Sequence, residues 1–406
     1  MIIIFMLVFE KEGQDLQICS FFLERKEKPK NTNNMSRATA VAAVSSGPGC
    51  FIAEYIWCAG QNTYHDIRSK FKTMTISIDS PLSDYPIWNF DGSSTGQNVG
   101  EDTEILIKPV ALYPHPFLPN AKVVLCECFY PDGTPTQDNT RRIAAAVFDA
   151  NAALEPWYGL EQEYLILAKD GRPLGWPQGG YPSPQGPYYC GNGMHVVGRE
   201  IAMEHYQLCL GMGLRISGVN MEVMPGQWEF QVGPSLGIEA GDHLVMARWV
   251  YLRLGEKHGI TISYESKPVP GDWNGSGCHT NYSTKEMRAE GGLAKILDVV
   301  QNRLSKTVLD DVPFYGKDNN KRLTGKHETS SLNEFTWGIG TRHTSIRIPN
   351  EVKKNNRGYY EDRRPAASID PYLVTARVFI SSNGLTTVMD AGSIIQAHSW
   401  MKRIGI

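Results

Sequence analysis

Leu160-Glu161-Gln162-Glu163-Tyr164 places two carboxylates two residues apart in a run with strand character. Alternate side chains of a strand share a face, so Glu161 and Glu163 project side by side. Asn220-Met221-Glu222-Val223-Met224 adds a third acid, and Gln227-Trp228-Glu229-Phe230 a fourth. There Glu229 and Gln231 lie on one face, with Trp228, Phe230 and Val232 on the other. Tyr359-Tyr360-Glu361-Asp362-Arg363-Arg364-Pro365 follows near the C-terminus. Like charges packed inside a protein are costly unless a cation sits between them. A hard divalent metal, which prefers oxygen ligands, is the simplest repair. A single Glu of this kind is ordinarily a solvated surface residue. Four of them set among large apolar residues are not explained that way.

One nitrogen donor suits the acidic set. His279 lies in Asn274-Gly275-Ser276-Gly277-Cys278-His279-Thr280-Asn281, where small residues let the backbone approach a ligand closely. A lone His is usually a core or surface residue. Together with the acids it would complete a paired metal site of the kind phosphoryl transfer uses. A cationic set follows: Arg322, then Arg342, Arg347, Arg363 and Arg364 in a short window around Glu361. Arg suits bidentate binding of carboxylate or phosphate, the alternative being subunit or domain salt bridges. Lys326-His327-Glu328-Thr329-Ser330-Ser331 is a loop carrying an acid. No GxxxxGK[ST] loop occurs, so phosphate binding must use something other than a P-loop. Metals, an anion-binding Arg cluster and no P-loop suggest ATP-dependent activation of a carboxylate. The residue chemistry alone does not name the substrate.

The 406 residues allow two domains, and 41% hydrophobic with 20% charged residues suits a soluble globular chain with a substantial core. A net charge of -3 gives no electrostatic reason to expect nucleic acid or an anionic membrane as partner. Eight Cys without metal-site spacing read as reduced thiols in an intracellular compartment. The apolar run Ile2 to Phe9 is far shorter than the ~20 residues a membrane span needs, and it makes a poor secretory signal. Met35-Ser36-Arg37 is a candidate true start, and disorder is expected to about Pro48. Residues 51–133 read as a small mixed domain, with strands at Phe51 to Trp57, Ile67 to Ile78 and Ala121 to Phe129, and an exposed loop at Trp88 to Ser94. Residues 134–406 alternate strands and helices and suggest one large α/β or α+β catalytic domain. Helices are expected at Arg141 to Leu154, Gly198 to Leu210, Ile238 to His258, Gly291 to Leu304, Pro371 to Ser381 and Ala391 to Met401. Strands are expected at Glu161 to Leu167, Ile260 to Tyr264, Cys278 to Ser283 and Ser345 to Ile348.

Over residues 51–401 the chain resembles the eukaryotic (type II) class of glutamine synthetase. The strings that carry the resemblance are Asn89-Phe90-Asp91-Gly92-Ser93-Ser94, Leu160 to Tyr164, Gly186-Pro187-Tyr188-Tyr189-Cys190-Gly191, Glu222-Val223-Met224-Pro225, Trp228-Glu229-Phe230, Asn274 to Asn281, His327-Glu328-Thr329-Ser330, Ser345-Ile346-Arg347-Ile348-Pro349 and Glu361 to Pro365. The resemblance implies an α+β fold: a small β-grasp domain, then a catalytic domain with a curved antiparallel sheet (a half-barrel) backed by helices. It also implies a cytoplasmic decamer of two pentameric rings, with active sites between subunits.

Roles follow by motif position. Glu163, Glu222 and Glu229 resemble the set that holds a cation beside glutamate. Glu161, His279 and Glu361 resemble the set for the cation at the nucleotide phosphates, with Mg²⁺ or Mn²⁺ as the metal. Arg322 resembles the clamp on the α-carboxylate of glutamate, helped by Arg363 and by Asn274-Gly275. Arg342 is similar to the Arg that stabilises the phosphoryl in flight, and Arg347 to one that contacts nucleotide phosphates. Asn281, Ser283 and Trp157 fit the segment that contacts ATP. Asp91 resembles the acid that deprotonates ammonium from the adjacent subunit, and Glu328 the flap acid over glutamate. The implied reaction converts glutamate, ammonium and ATP to glutamine, ADP and phosphate through γ-glutamyl phosphate. Val219-Asn220-Met221, Gly340 to Thr344 (with His343 beside Arg342) and Cys58 to His65 depart from the family wording without removing a proposed ligand. The rival readings are a γ-glutamylpolyamine synthetase and a non-catalytic structural homologue.

Overall fold

The computed structural model describes residues 49–59, 66–182 and 185–385. The N-terminal extension to Pro48, the stretch Gly60–His65 and the helix expected at Ala391 to Met401 lie outside the described residues.

The first sheet has five strands: β1 (Phe51–Cys58), β2 (Ile67–Met74), β3 (Trp88–Asp91), β4 (Glu104–Pro114) and β5 (Ala121–Phe129), in the order β2-β1-β5-β4-β3. β1 and β5 run parallel and the other neighbours antiparallel. Along β1 the alternate residues Phe51, Ala53, Tyr55 and Trp57 are buried and pack with Met74, Tyr85, Ile105 and Ile107. Ile56 belongs instead to the larger core. Two expectations change here. Trp88 to Ser94 is not simply an exposed loop, because Trp88–Asp91 pairs with β4 before a 3-10 turn at Gly92–Thr95 in which Gly92 is buried and Ser93 and Ser94 are exposed. β4 itself escaped the sequence pattern because Pro109 and Pro114 interrupt it. The register shift between Pro109 and Ala111 absorbs the missing donor.

The second sheet is mostly antiparallel. Its strands are β6 (Trp157–Leu167), β7 (Ile216–Met221), β8 (Gln227–Leu236), β9 (Thr261–Ser263), β10 (Cys278–Ser283), β11 (Trp337–Ile339), β12 (Ile346–Ile348) and β13 (Tyr360–Asp362). The order is β11-β12-β13-β10-β6-β8-β7, with β9 paired to the end of β6. Register shifts at Tyr158/Leu160 in β6 and at Ile216/Gly218 in the edge strand β7 bend the pairing with β8.

Eight α-helices accompany the sheets in the described residues. They are α1 (Thr140–Ala150), α2 (Arg199–Gly211), α3 (Ile238–His258), the short α4 (Lys285–Arg288), α5 (Leu293–Val299), α6 (Val308–Asp311), α7 (Asn350–Asn355) and α8 (Pro371–Asn383). The helix expected over Gly291 to Leu304 is α5 followed by a π turn. α3 is the backing element. Its run from Ala240 to Tyr251 is buried throughout, against β6, β8, α1 and α8. Gly241 permits that packing, since a Cβ there would lie 2.4 Å from the ring of Tyr372 on α8. α8 is started by Asp370, whose carboxylate accepts from the amides of Tyr372 and Leu373, with Pro371 in the first turn.

β6 carries the alternation that organises everything else. Leu160, Gln162 and Tyr164 are buried toward α3. The Gln162 carbonyl oxygen accepts from the buried Arg248 guanidinium at 3.0 and 2.6 Å, and the Tyr164 hydroxyl meets that of Tyr251. Glu161 and Glu163 therefore emerge on the opposite face.

Candidate active site

Cross-strand register brings the acids together. On β6, Glu161 stands opposite His279 of β10 and Gln231 of β8, while Glu163 stands opposite Glu229. Glu361 of β13 pairs with Asn281 on one side and Arg347 on the other. Glu222 follows β7 in the turn to β8, and its amide bonds the carbonyl of Gln227. All five acids and the one imidazole expected as metal ligands line one pocket of about 130 Å³. Asn274, Gly275, Arg322, Glu328, Arg342, Arg347 and Arg363 line it too.

His279 has its Nδ1 edge between two carboxylates, 3.2 Å from Glu161 and 3.5 Å from Glu361. Both distances would count as ion pairs with a charged ring. Burial, followed by the nearby Arg363 guanidinium, instead holds its pKa well below the ordinary histidine value. The ring is therefore neutral, the form that ligates metals. Its Nε2 accepts from Arg322 at 3.2 Å, which leaves Nδ1 facing the acids.

The acids are held singly by neutral donors. Glu163 accepts from the Gly277 amide at 2.9 Å and from Gln227 at 3.1 Å. Glu222 accepts from Asn220 at 2.9 Å, Glu161 from Asn281 at 2.8 Å, and Glu229 from Gln231. Gly218 makes room for this last contact, since a Cβ there would lie 2.4 Å from Gln231 Oε1. Desolvation pushes Glu163 up to about 7 and Glu222 to about 8, the latter helped by the charges of Glu163 and Glu328. Desolvation and then Glu161 raise Glu229 well above the carboxylate range. Burial also raises Glu161. Glu361 is the exception in its partners, taking Arg347 at 3.0 Å and Arg363 at 2.5 Å.

Crowded, buried carboxylates that hold protons for want of a counter-charge, beside a neutral imidazole, fit divalent cations. One tight group shows the spacing directly: donor atoms of Glu161, Glu229 and His279 all lie within 4.8 Å of one another. This trio draws one member from the expected glutamate-side set and two from the nucleotide-side set, so the two sets adjoin.

Arg322 and Arg363 are built into the pocket wall. Burial draws the Arg322 pKa down to about 10. Its guanidinium bonds the carbonyls of Arg363 and Arg364 and lies against Gly277, where a Cβ would sit 2.4 Å from Nη2. Arg363 ties Glu361 to the carbonyls of Arg342 and Glu328. Arg342 is half-exposed, 3.7 Å from Glu328 and stacked over the Tyr189 ring.

A second pocket of about 420 Å³ adjoins the first through Glu161. It is mainly apolar in character and is lined by Trp157, Asn281 and Ser283, three residues expected at the nucleotide. Arg288 and Tyr359 also line it and were missed from sequence. Arg288 stacks on Trp157 at 4.0 Å and donates to the Ser283 hydroxyl at 3.0 Å. Its position just after β10 was the available signal. Tyr189, His327 and Thr329 were likewise not expected in the first pocket, although all three lie inside quoted motifs. Asp91 is the one expected residue that lines neither pocket. It is exposed at the end of β3, where its carboxylate accepts from Ser93 and Ser94.

Neutral and charged donors around clustered acids, next to a roomier apolar cleft, define a ligand-binding enzyme site for cations and anions together. Residues 138–309 match a family model described as "Glutamine synthetase, catalytic domain". The chain is 50% identical over 332 residues to glutamine synthetase cytosolic isozyme 1-1 of Oryza sativa subsp. japonica, covering 80% of this chain and 92% of that protein. It is 50% identical over 329 residues to glutamine synthetase of Colletotrichum gloeosporioides, covering 80% and 90%. A cytosolic isozyme of Pinus sylvestris is 49% identical over 332 residues, covering 80% and 92%. The chain belongs to the glutamine synthetase family.

Proposed function

We propose that this protein joins ammonia to the γ-carboxylate of L-glutamate at the expense of ATP, giving glutamine, ADP and phosphate. The observation that carries this reading is the single pocket in which Glu161, Glu163, Glu222, Glu229, His279 and Glu361 meet Arg322, Arg342, Arg347 and Arg363. Mg²⁺ or Mn²⁺ held by the six donors would neutralise charge between the phosphates and the carboxylate being activated.

The residues act as follows in this reading. Trp157, Asn281 and Ser283 receive the nucleoside in the apolar cleft, and Arg347 faces its phosphates. Arg322, fixed by backbone carbonyls, presents a preformed fork to the α-carboxylate of glutamate. A γ-carboxylate oxygen attacks the terminal phosphorus of ATP, and the bond to ADP breaks. Arg342, half-exposed at the pocket mouth beside Glu328, is placed to meet the charge on the transferring group. Ammonia then attacks the acyl carbon, and phosphate leaves. The exposed carboxylate of Asp91 takes the proton from ammonium, and since Asp91 lines neither pocket of its own chain, the reading has it serve a neighbouring subunit. Glu328 excludes water from the acyl phosphate. A decamer of two pentameric rings fits that division of labour, with residues 51–133 as the small domain and 134–406 as the catalytic one. Relatives named as cytosolic isozymes support a cytoplasmic setting, and among the described residues no helix is long and apolar enough to cross a membrane.

Incubation with glutamate, ATP, Mg²⁺ and hydroxylamine should give γ-glutamyl hydroxamate, with ammonium as competitor. A preparation that forms no hydroxamate, or that prefers a polyamine to ammonium, would sink the reading.

A further inference from the structure

We infer that Gln185 is a positioning residue that fastens the flap loop to the substrate loop. The inference rests on the ligase reading above. Gln185 follows the Pro/Gly-rich stretch after β6 and is neither a ligand nor a pocket-lining residue. Its side chain is nevertheless fully committed. Its Oε1 accepts from the backbone amide of Asn274 at 2.9 Å, and its Nε2 donates to Asn274 Oδ1 at 2.7 Å. Its second N–H points at His327 Nδ1, 3.0 Å away. His327 Nε2 is in turn 3.0 Å from Asp272. Only one arrangement of protons satisfies both contacts of a neutral ring: the proton sits on Nε2 toward Asp272, and Nδ1 accepts from Gln185.

The joint matters because of the backbone on its far side. His327 and Glu328 are consecutive non-glycine residues with φ of 53° and 63°, in the left-handed region that L side chains avoid. Such a conformation persists only where contacts over-determine it. Around this loop those contacts are Gln185 and Asp272 on the His327 ring, and Arg363 on the Glu328 carbonyl at 3.2 Å. Asn274 borders the proposed glutamate subsite, so one carboxamide links the segment that meets glutamate to the one that carries Glu328. Ordering of Asn274 by glutamate then favours the closed placement of Glu328, and loss of Gln185 separates the two events.

The test uses the full-length protein and the variants Gln185→Met, His327→Ala and the double variant. For each, phosphate released per glutamine formed is measured, with KM for glutamate and for ATP. Gln185→Met keeps the length of the side chain and removes the three hydrogen bonds. It should raise the phosphate-to-glutamine ratio and the glutamate KM by about tenfold each, while KM for ATP stays within about twofold. Because Gln185 reaches the flap only through His327, the phosphate-to-glutamine ratio of the double variant should be no worse than that of His327→Ala alone. A coupling ratio within twofold of the parent protein in Gln185→Met, or multiplicative effects on that ratio in the double variant, would overturn the inference. Unchanged thermal melts exclude simple unfolding. Should Gln185→Met melt early, Asp272→Ala reads the same joint from the exposed side, and normal coupling there also overturns the proposal. An inactive parent protein would instead refute the ligase reading.

Discussion

Binding of divalent cations should expel protons from the desolvated acids of the pocket. Glu163 is held near 7 and Glu222 near 8 by desolvation. A carboxylate must be ionised to ligate. At pH 7 the cation-free pocket then keeps a proton on Glu222 and in part on Glu163, with Glu229 also held above the carboxylate range. Apparent affinity for Mn²⁺ should therefore rise by at least about tenfold between pH 6 and pH 7, with Glu229 adding to the rise. The assay is calorimetric titration of the nucleotide-free protein in two buffers of different ionisation enthalpy, which reads proton release directly. Glu222→Gln removes one of these titrations and should lessen the rise with pH, besides weakening binding. Ordinary surface carboxylates would be fully ionised over this range. Affinity independent of pH, with no proton released, would therefore refute the claim that these acids are desolvated against one another.

Other expectations follow from the same contacts. The cation-free fold should lose stability as pH rises from about 4.5 to about 8, because Glu163 and Glu222 bind more protons folded than unfolded; melts with and without Mn²⁺ should converge at low pH. Glu328→Ala should leave ATP binding intact, raise hydrolysis without product and lower glutamine yield; tight coupling in that variant would remove the flap role. Gly277→Ala should push the Arg322 guanidinium aside and raise the glutamate KM by on the order of tenfold, with KM for ATP as the internal control. Far from the pocket, buried Glu54 of β1 accepts from Ser69 at 2.6 Å, His115 at 2.9 Å and Arg253 of α3 at 3.0 Å. Glu54→Ala should cost about 3 kcal/mol in chemical denaturation by stranding His115 and Arg253.

Much of this molecule was legible locally. Alternation in Leu160 to Tyr164 put Glu161 and Glu163 on one face, and β6 keeps that pattern because Leu160, Gln162 and Tyr164 are consumed by α3. Ile238–His258 was readable as a helix to the residue, and Cys278–Ser283 as a strand. β4 and β7 were not, because Pro109 and Gly218 break their periodicity and their pairing comes only from neighbours. Motif strings named the chemistry of the pocket, since metal ligation and anion binding demand particular side chains whatever surrounds them.

The sequence by itself determined which groups are present and which face of each strand they take, because the backbone repeat is a local property. Tertiary structure decided everything that depends on distance between strands far apart in the chain. It alone set Glu361 against His279, drained water from Glu163 and Glu222 until they keep protons near neutrality, and held His279 neutral beside Arg322 and Arg363. It also recruited Gln185, Arg288 and Tyr189, whose types carry no signal until folding gives them partners. Desolvation and Coulomb forces act through space, so no reading along the chain contains them.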